Sequence, residues 1–276
     1  MDSGRCADFL AWALPRLGLA PVGFRRVKRQ VCKRLHRRLK ELRLPDLASY
    51  RQRLEAQPDE WAVVDRCCHI TISRFYRDRR VFDRLACDIM PALAAAARDA
   101  GRRVLRVWSA GCASGEEPYT VSLIWRFALA ARFNTISPAV VATDADETVL
   151  ARARNALYPP GCLAELPREW VEAAFVREGR ALRLLPEYRA GVTFLCQDLK
   201  TTAPDGPFDL LLCRNLAFTY FDEAGRRDAL ARLAGRLVPG GALVIGRGEH
   251  LPPDPEWLEP WIAELGIFRR RGAPAQ

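Results

Sequence analysis

Residues 107–125 read VWSAGCASGEEPYTVSLIW: an apolar run, a turn of small residues, then two adjacent carboxylates, Glu116 and Glu117. A strand that ends in small residues and opens into a helix lets backbone approach a ligand closely, which makes Gly111 a candidate site residue. Phosphate-binding turns usually keep their surroundings free of acid, and this one does the opposite. Carboxylates at such a turn disfavour a pyrophosphate and suit a cation. First-turn acids also favour the positive end of a helix for purely structural reasons. The turn therefore needs support from other strand ends.

That support lies further along the chain. The apolar runs VLRVWSA (104–110), AVVATDA (139–145), VTFLCQDL (192–199), FDLLLCRN (208–215) and GALVIGR (241–247) alternate with helical stretches at 116–130, 147–155 and 222–237. Near-continuous apolar strands separated by helices imply an α/β fold, with a doubly wound, mostly parallel sheet covered on both faces. Its ligand belongs beyond the carboxyl ends of the strands. The gap between Asn155 and Val192 is too long for a simple crossover. It contains REGR followed by ALRLLPEY, the pattern of a short hairpin, so an antiparallel subdomain is expected at about 160–192.

Acids recur at the strand ends, with Asp144 and Asp146 after the second and Asp198 after the third. A doubly wound nucleotide site uses an acid at the end of its second strand to accept the two ribose hydroxyls. The combination describes a ligand with an adenosine, a positive charge and no phosphate, as in S-adenosylmethionine. Asn215, a polar amide directly after an apolar strand, needs partners that such a cofactor supplies.

Before Gly101 the pattern is helical. Residues 22–88 show helical periodicity, punctuated by Pro45 and by QPDE at 57–60, where Asp59 is expected to cap the next helix. A linking helical segment runs through Phe82 and Met90 to Ala97. The organisation expected is an N-terminal extension at 1–21 containing a short amphipathic helix, a small helical domain at 22–88 and the sheet domain at 89–276.

Charge is concentrated in the helical part. Arg25, Arg26, Lys28, Arg29, Lys33, Arg34, Arg37, Arg38, Lys40 and Arg43 face the single acid Glu41, so the segment supplies nine of the net charge of +10. Val27, Val31, Leu35, Leu39 and Leu42 form an apolar stripe within it. A solvated helix face and a docking surface for an acidic partner both fit this pattern. The odd count of nine cysteines, without a C-x-x-C pair and with only three histidines, argues for a reducing compartment and against disulfides or a metal site. No apolar run approaches the ~18 residues of a membrane span. A cytoplasmic monomer is expected.

The segments VWSAGCASGEEPY, ATDADETVLARARNALY, DLLLCRNLAFTYFDE and RLVPGGALVIGRGEH resemble, in order, the motifs of the CheR-type chemoreceptor glutamate O-methyltransferases, and ITISRFYRDRRVFDRL resembles their N-x-T-x-F-F-R motif. The resemblance covers roughly residues 22–271. It implies a class I S-adenosylmethionine-dependent methyltransferase fold, Rossmann-like, and transfer of a methyl group to glutamate side chains of chemoreceptors with S-adenosylhomocysteine as product. It further implies that Glu117 meets the amino-acid part of the cofactor, Asp144 its ribose, Asp198 and Leu199 its adenine, and Asn215 and Leu216 its methionine end. Thr71 and Ser73 stand for the N-x-T pair. Arg77 stands for the motif arginine, whose planar donor fork suits a carboxylate, and Tyr220 for the active-site tyrosine. The partner implied is an acidic receptor helix facing residues 25–43, with nucleic acid disfavoured.

The chain departs from that family's pattern at several points. Thr71 replaces asparagine and Ser73 threonine, four residues (LAFT) separate Asn215 from Tyr220 in place of three, and GRGEH replaces G-H-S-E, leaving Glu249 and His250 without a role. A different acceptor, such as a small-molecule acid or a nucleic acid, and a cofactor-binding scaffold without turnover remain open on the sequence.

Overall fold

The computed structural model describes residues 3–253 and 255–272. The chain divides into two compact units, residues 1–70 with 219–227, and residues 71–218 with 228–276. The division falls after Ile70 and not after residue 88. The reason is that the linking helical segment, α5 (Arg79–Arg84), a π-helical stretch and α6 (Met90–Asp99), buries Val81, Phe82, Leu85, Ile89, Met90 and Leu93 in the sheet unit's own core.

The helical unit contains α1 (Ser3–Arg16), α2 (Lys28–Glu41), α3 (Leu47–Ala56) and α4 (Trp61–Cys68). The amphipathic helix expected near the start is α1. It buries Cys6, Phe9, Leu10, Ala13 and Leu14, so it is part of this unit and not an extension. Phe9 stacks on Tyr50 at 5.9 Å, and Trp12 lies 5.2 Å from Trp61. α2 buries Val31, Cys32, Leu35 and Leu39 on one face and exposes Arg29, Lys33, Arg37 and Lys40 on another.

Two of its arginines are structural. Arg38 grips the buried Glu60 with two hydrogen bonds of 2.8 Å, reinforced by the Tyr50 hydroxyl at 2.7 Å, and Arg34 donates to the Cys67 and His69 carbonyls. The Arg38 guanidinium holds Glu60 below the usual carboxylate range. The cap expected at Asp59 is not formed: Asp59 lies inside the turn Pro58–Glu60 that leads into α4, which starts with no side-chain cap, while Asp46 caps α3 through the Ser49 amide at 2.8 Å. The expectation of no disulfide is also corrected. Cys6 of α1 and Cys32 of α2 are bonded, because the stripes that bury both helices bring their sulfurs together.

The sheet unit carries β1 (Val104–Ala110), β2 (Ser137–Asp144), β3 (Leu157–Tyr158), β4 (Phe175–Glu178), β5 (Ala181–Leu184), β6 (Val192–Cys196), β7 (Phe208–Cys213), β8 (Leu237–Ile245), β9 (Leu258–Ile262) and β10 (Ile267–Arg270). Seven strands form one sheet in the order β6-β2-β1-β7-β8-β10-β9. The first five are mutually parallel, and β10 runs antiparallel to β8 and β9. The apolar runs read from the sequence are β1, β2, β6, β7 and β8. β9 and β10 were not anticipated, since LEPWI and IFRR carry proline and charge where an interior strand would not.

The remaining helices are α7 (Glu116–Ile124), extended by a π-helical turn, α8 (Glu147–Asn155), α9 (Arg168–Ala174), α10 (Pro186–Arg189), α11 (Ala217–Tyr220) and α12 (Glu223–Ala234). Within the inserted region β3, β5 and β4 form a separate three-stranded antiparallel sheet, with the β4–β5 hairpin turning at Gly179–Arg180. Trp108 is fully buried in β1 and satisfies its indole N–H on the Thr143 hydroxyl at 2.9 Å, as a buried tryptophan requires. Burial of such a side chain contributes about 1.5–3 kcal/mol.

The chain runs outward from β1 to β2 and β6, then returns to β7 on the other side of β1. Strand order therefore reverses between β1 and β7, and the crevice beyond their carboxyl ends is where an open α/β sheet accepts a ligand.

Candidate functional site

The residues following β1 and β7 meet at this reversal. Gly111 adopts φ +76°, and a Cβ there would lie 2.6 Å from the Leu216 side chain, so only glycine fits. Ala113 is left-handed at φ 48° and Gly115 at φ 90°. A carboxylate holds this bent turn in place: Asp144, at the end of β2, accepts the Ala113 N–H at 2.9 Å on one oxygen and the Asp146 N–H at 3.0 Å on the other. Gly111 and Cys112 donate their N–H groups to the Thr143 carbonyl at 2.8 and 2.9 Å. The end of β2 thus fixes the first turn of the site.

The two acids of GEEP have different surroundings. Glu117 accepts from the Ser109 hydroxyl at 2.7 Å and from the Arg214 guanidinium at 3.0 Å. Glu116 is 4% exposed and accepts a hydrogen bond from Ser73, while its Oε2 makes none. Burial pushes the Glu116 carboxyl up to about 7. Its burial follows from its place on α7, whose residues 118–124 are also buried.

Arg214 is a functional candidate that the sequence reading passed over. Its side chain is 2% exposed, and it bridges Glu117, the Asp78 carboxylate at 2.6 Å and the Arg77 carbonyl at 2.9 Å, with its guanidinium carbon 4.9 Å from the centre of the Phe82 ring. The signal was available, because an arginine directly after the buried run FDLLLC must be paired. It cancels charge already within the site and leaves Asp144 and Asp198 as further acid.

The other predicted positions are distributed as follows. Thr71 and Ser73 lie in the irregular segment before α5, and Arg77 sits between the left-handed residues Tyr76 and Asp78 with its guanidinium donating to the Ile72 carbonyl at 3.0 Å. Asp198 follows β6 and accepts the Lys200 N–H at 2.9 Å, and Leu199 beside it is buried. Asn215 is left-handed at φ 55° and donates its N–H to Glu249 at 3.0 Å. Tyr220 falls in the helical unit, its ring 5.0 Å from that of Phe24 and its carbonyl accepting the Ala20 N–H. The structure thus gathers Gly111, Glu117, Asp144, Asn215 and Leu216 around one crevice, and groups Tyr220 with the other unit.

Residues 71–265 match the family described as CheR methyltransferase, SAM binding domain. The chain belongs to the CheR methyltransferase family. A chemotaxis protein methyltransferase of Listeria innocua is 35% identical over 182 residues, 66% of either chain. One of Salmonella typhimurium is 33% identical over 80% of this chain and 75% of its own length, and one of Escherichia coli is 30% identical over 85% and 86%. The doubly wound sheet is accordingly the S-adenosylmethionine-binding domain of that family, and S-adenosylmethionine is its cofactor. The donor set suits that cofactor: the cradle at Gly111 admits close approach, and the strand ends present carboxylates to a sulfonium, an ammonium and a ribose. Among the described residues no helix is long and apolar enough to cross a membrane.

Proposed function

We propose that this CheR-family chain forms methyl esters on glutamate side chains of chemoreceptor proteins. The observation that carries the reading is the row of acids at adjacent strand ends, Glu117, Asp144 and Asp198, with a buried cation beside them, Arg214, already neutralised by Glu117 and Asp78. In this reading Asp144 accepts the ribose hydroxyls, Glu117 meets the ammonium, Asp198 and Leu199 flank the adenine, and Asn215 and Leu216 border the methionine end. Thr71 and Ser73 contribute hydroxyls from the opposite wall.

When bound, the cofactor supplies an electrophilic methyl on a sulfonium. A glutamate acceptor is ionised at neutral pH and needs no strong base, so the chain's own contribution is positioning. Arg77 holds the acceptor carboxylate through its donor fork. The exposed row Arg29, Lys33, Arg37 and Lys40 on α2 receives an acidic receptor helix. The protein acts as a cytoplasmic monomer.

The test is transfer of labelled methyl to chemoreceptor membranes. Base-labile label on receptor is expected; label on another acceptor, or binding without transfer, would remove the receptor reading. Asp144→Ala should weaken S-adenosylhomocysteine binding about tenfold or more, since ribose hydrogen bonds worth roughly 1 kcal/mol each and the anchor of Ala113 both go. An unchanged dissociation constant would take Asp144 out of the site.

A further inference from the structure

β7 and β8 are neighbours, with Cys213 opposite Ile245 at their carboxyl ends. Beyond those ends lie residues 214–216 and 246–250, and one side chain ties the two segments together. Glu249 Oε2 accepts the Gly246 N–H at 2.5 Å and the Asn215 N–H at 3.0 Å, while the Glu249 N–H donates to the Gly246 carbonyl at 3.0 Å. Packing at the knot is tight. A Cβ on Gly246 would lie 2.6 Å from Asn215 Nδ2 and 2.6 Å from Glu249 Oε2.

Each feature has a physical reason. Backbone N–H groups in a partly buried turn need acceptors, and parallel strands that have just ended no longer supply them. A carboxylate oxygen can take two donors at once, and charge strengthens both bonds. Asn215 is held in the left-handed region, which costs roughly 1 kcal/mol and persists only where the surroundings enforce it. Its side-chain amide packs against the glycine on one side, and its backbone is tethered on the other.

We propose that Glu249 is a positioning residue for the methyl-transfer site: it fixes the backbone of Asn215 and so aims the Asn215 amide at the methionine end of the cofactor. This rests on the cofactor reading given above. Glu249 acts through Asn215 and does not itself touch cofactor or acceptor.

Four variants test it. Glu249→Gln keeps a carbonyl oxygen on the same stem, Glu249→Ala removes the acceptor, Gly246→Ala displaces the Asn215 amide from the other side, and Arg247→Ala changes an exposed neighbour in the same loop. S-adenosylhomocysteine affinity by calorimetry, kcat and KM for the acceptor, and amide hydrogen exchange at Asn215 and Gly246 are measured well below the melting temperature. Expected are at least tenfold losses of affinity and of kcat for Glu249→Ala and Gly246→Ala, with exchange at Asn215 at least tenfold faster in Glu249→Ala. Glu249→Gln should stay within about threefold of the parent and Arg247→Ala should match it. Wild-type affinity and kcat in Glu249→Ala, with only a lowered melting temperature, would overturn the proposal, as would a glutamine variant as poor as the alanine one. Absence of S-adenosylhomocysteine binding by the unaltered chain would sink the cofactor reading instead. The exchange measurement needs no cofactor and still decides whether Glu249 holds Asn215.

Discussion

The two ends of the central sheet treat buried charge in opposite ways. At the amino end, Asp209 at the start of β7 is 2% exposed and fully engaged: Arg102 donates to one oxygen at 2.7 Å and the Arg106 N–H to the other at 2.8 Å. At the carboxyl end, Arg214 is shared between two carboxylates and keeps an Nε without a partner among the described residues, and Glu116 keeps an oxygen in the same condition. The left-handed residues Tyr76, Asp78, Ala113 and Asn215 belong to the segments that border this second end. Asp209 is closed by its own hydrogen bonds; around Arg214 and Glu116 left-handed backbone and unspent polar capacity occur together, which is how a fold reserves interaction energy for a ligand.

Equivalent damage at the two ends should therefore be read out differently. Arg214→Met should have the largest effect. Without the guanidinium, Glu117 and Asp78 lose the cation between them, and removal of one partner from a buried pair costs about 3–5 kcal/mol. Turnover should fall at least a hundredfold along with stability, since both Glu117 and the 77–78 segment are released. Urea unfolding and steady-state kinetics check this; a variant that loses stability alone would make Arg214 the counterpart of Asp209. Asp209→Asn comes next. It keeps the shape but leaves Arg102 with a neutral partner and turns one acceptor into a donor, costing about 2–3 kcal/mol. S-adenosylhomocysteine affinity of the folded variant should stay within about twofold of the parent, and a tenfold loss would show that the amino end also serves the site.

The same contrast explains what was legible in the sequence. β1, β2, β6, β7 and β8 could be read because their faces are buried on both sides and periodicity reports burial. The acids at their ends could be read because carboxylates directly after apolar runs are anomalous. Glu249 could not, because its role depends on Gly246 and Asn215 converging from strands that are adjacent only once the sheet is assembled. Arg34 and Arg38 were misread with the basic stripe for a similar reason: Glu60 and the His69 carbonyl, which occupy them, are distant in sequence. The Cys6–Cys32 bond escaped because cysteine count and spacing carry no information on which two helices pack together.

The smallest effect is also the sharpest test of the open end. Glu116 is buried with one hydrogen bond, from Ser73, and burial raises its carboxyl to about 7. Its titratable neighbours Tyr158 and Cys162 are themselves pushed up by burial and stay neutral over this range. An acid whose pKa is higher folded than unfolded binds more protons in the folded state at intermediate pH. Stability must therefore decline as pH rises from the ordinary carboxyl value toward 7, and level off above it. The component is on the order of 3 kcal/mol for a shift of this kind. Glu116→Gln, which cannot ionise and keeps an acceptor for Ser73, should remove that decline, so that parent and variant diverge between pH 5 and 8 in urea unfolding. Parallel curves would mean that burial does not hold Glu116 protonated, and the distinction between the two ends would then rest on Arg214 and the left-handed turns alone.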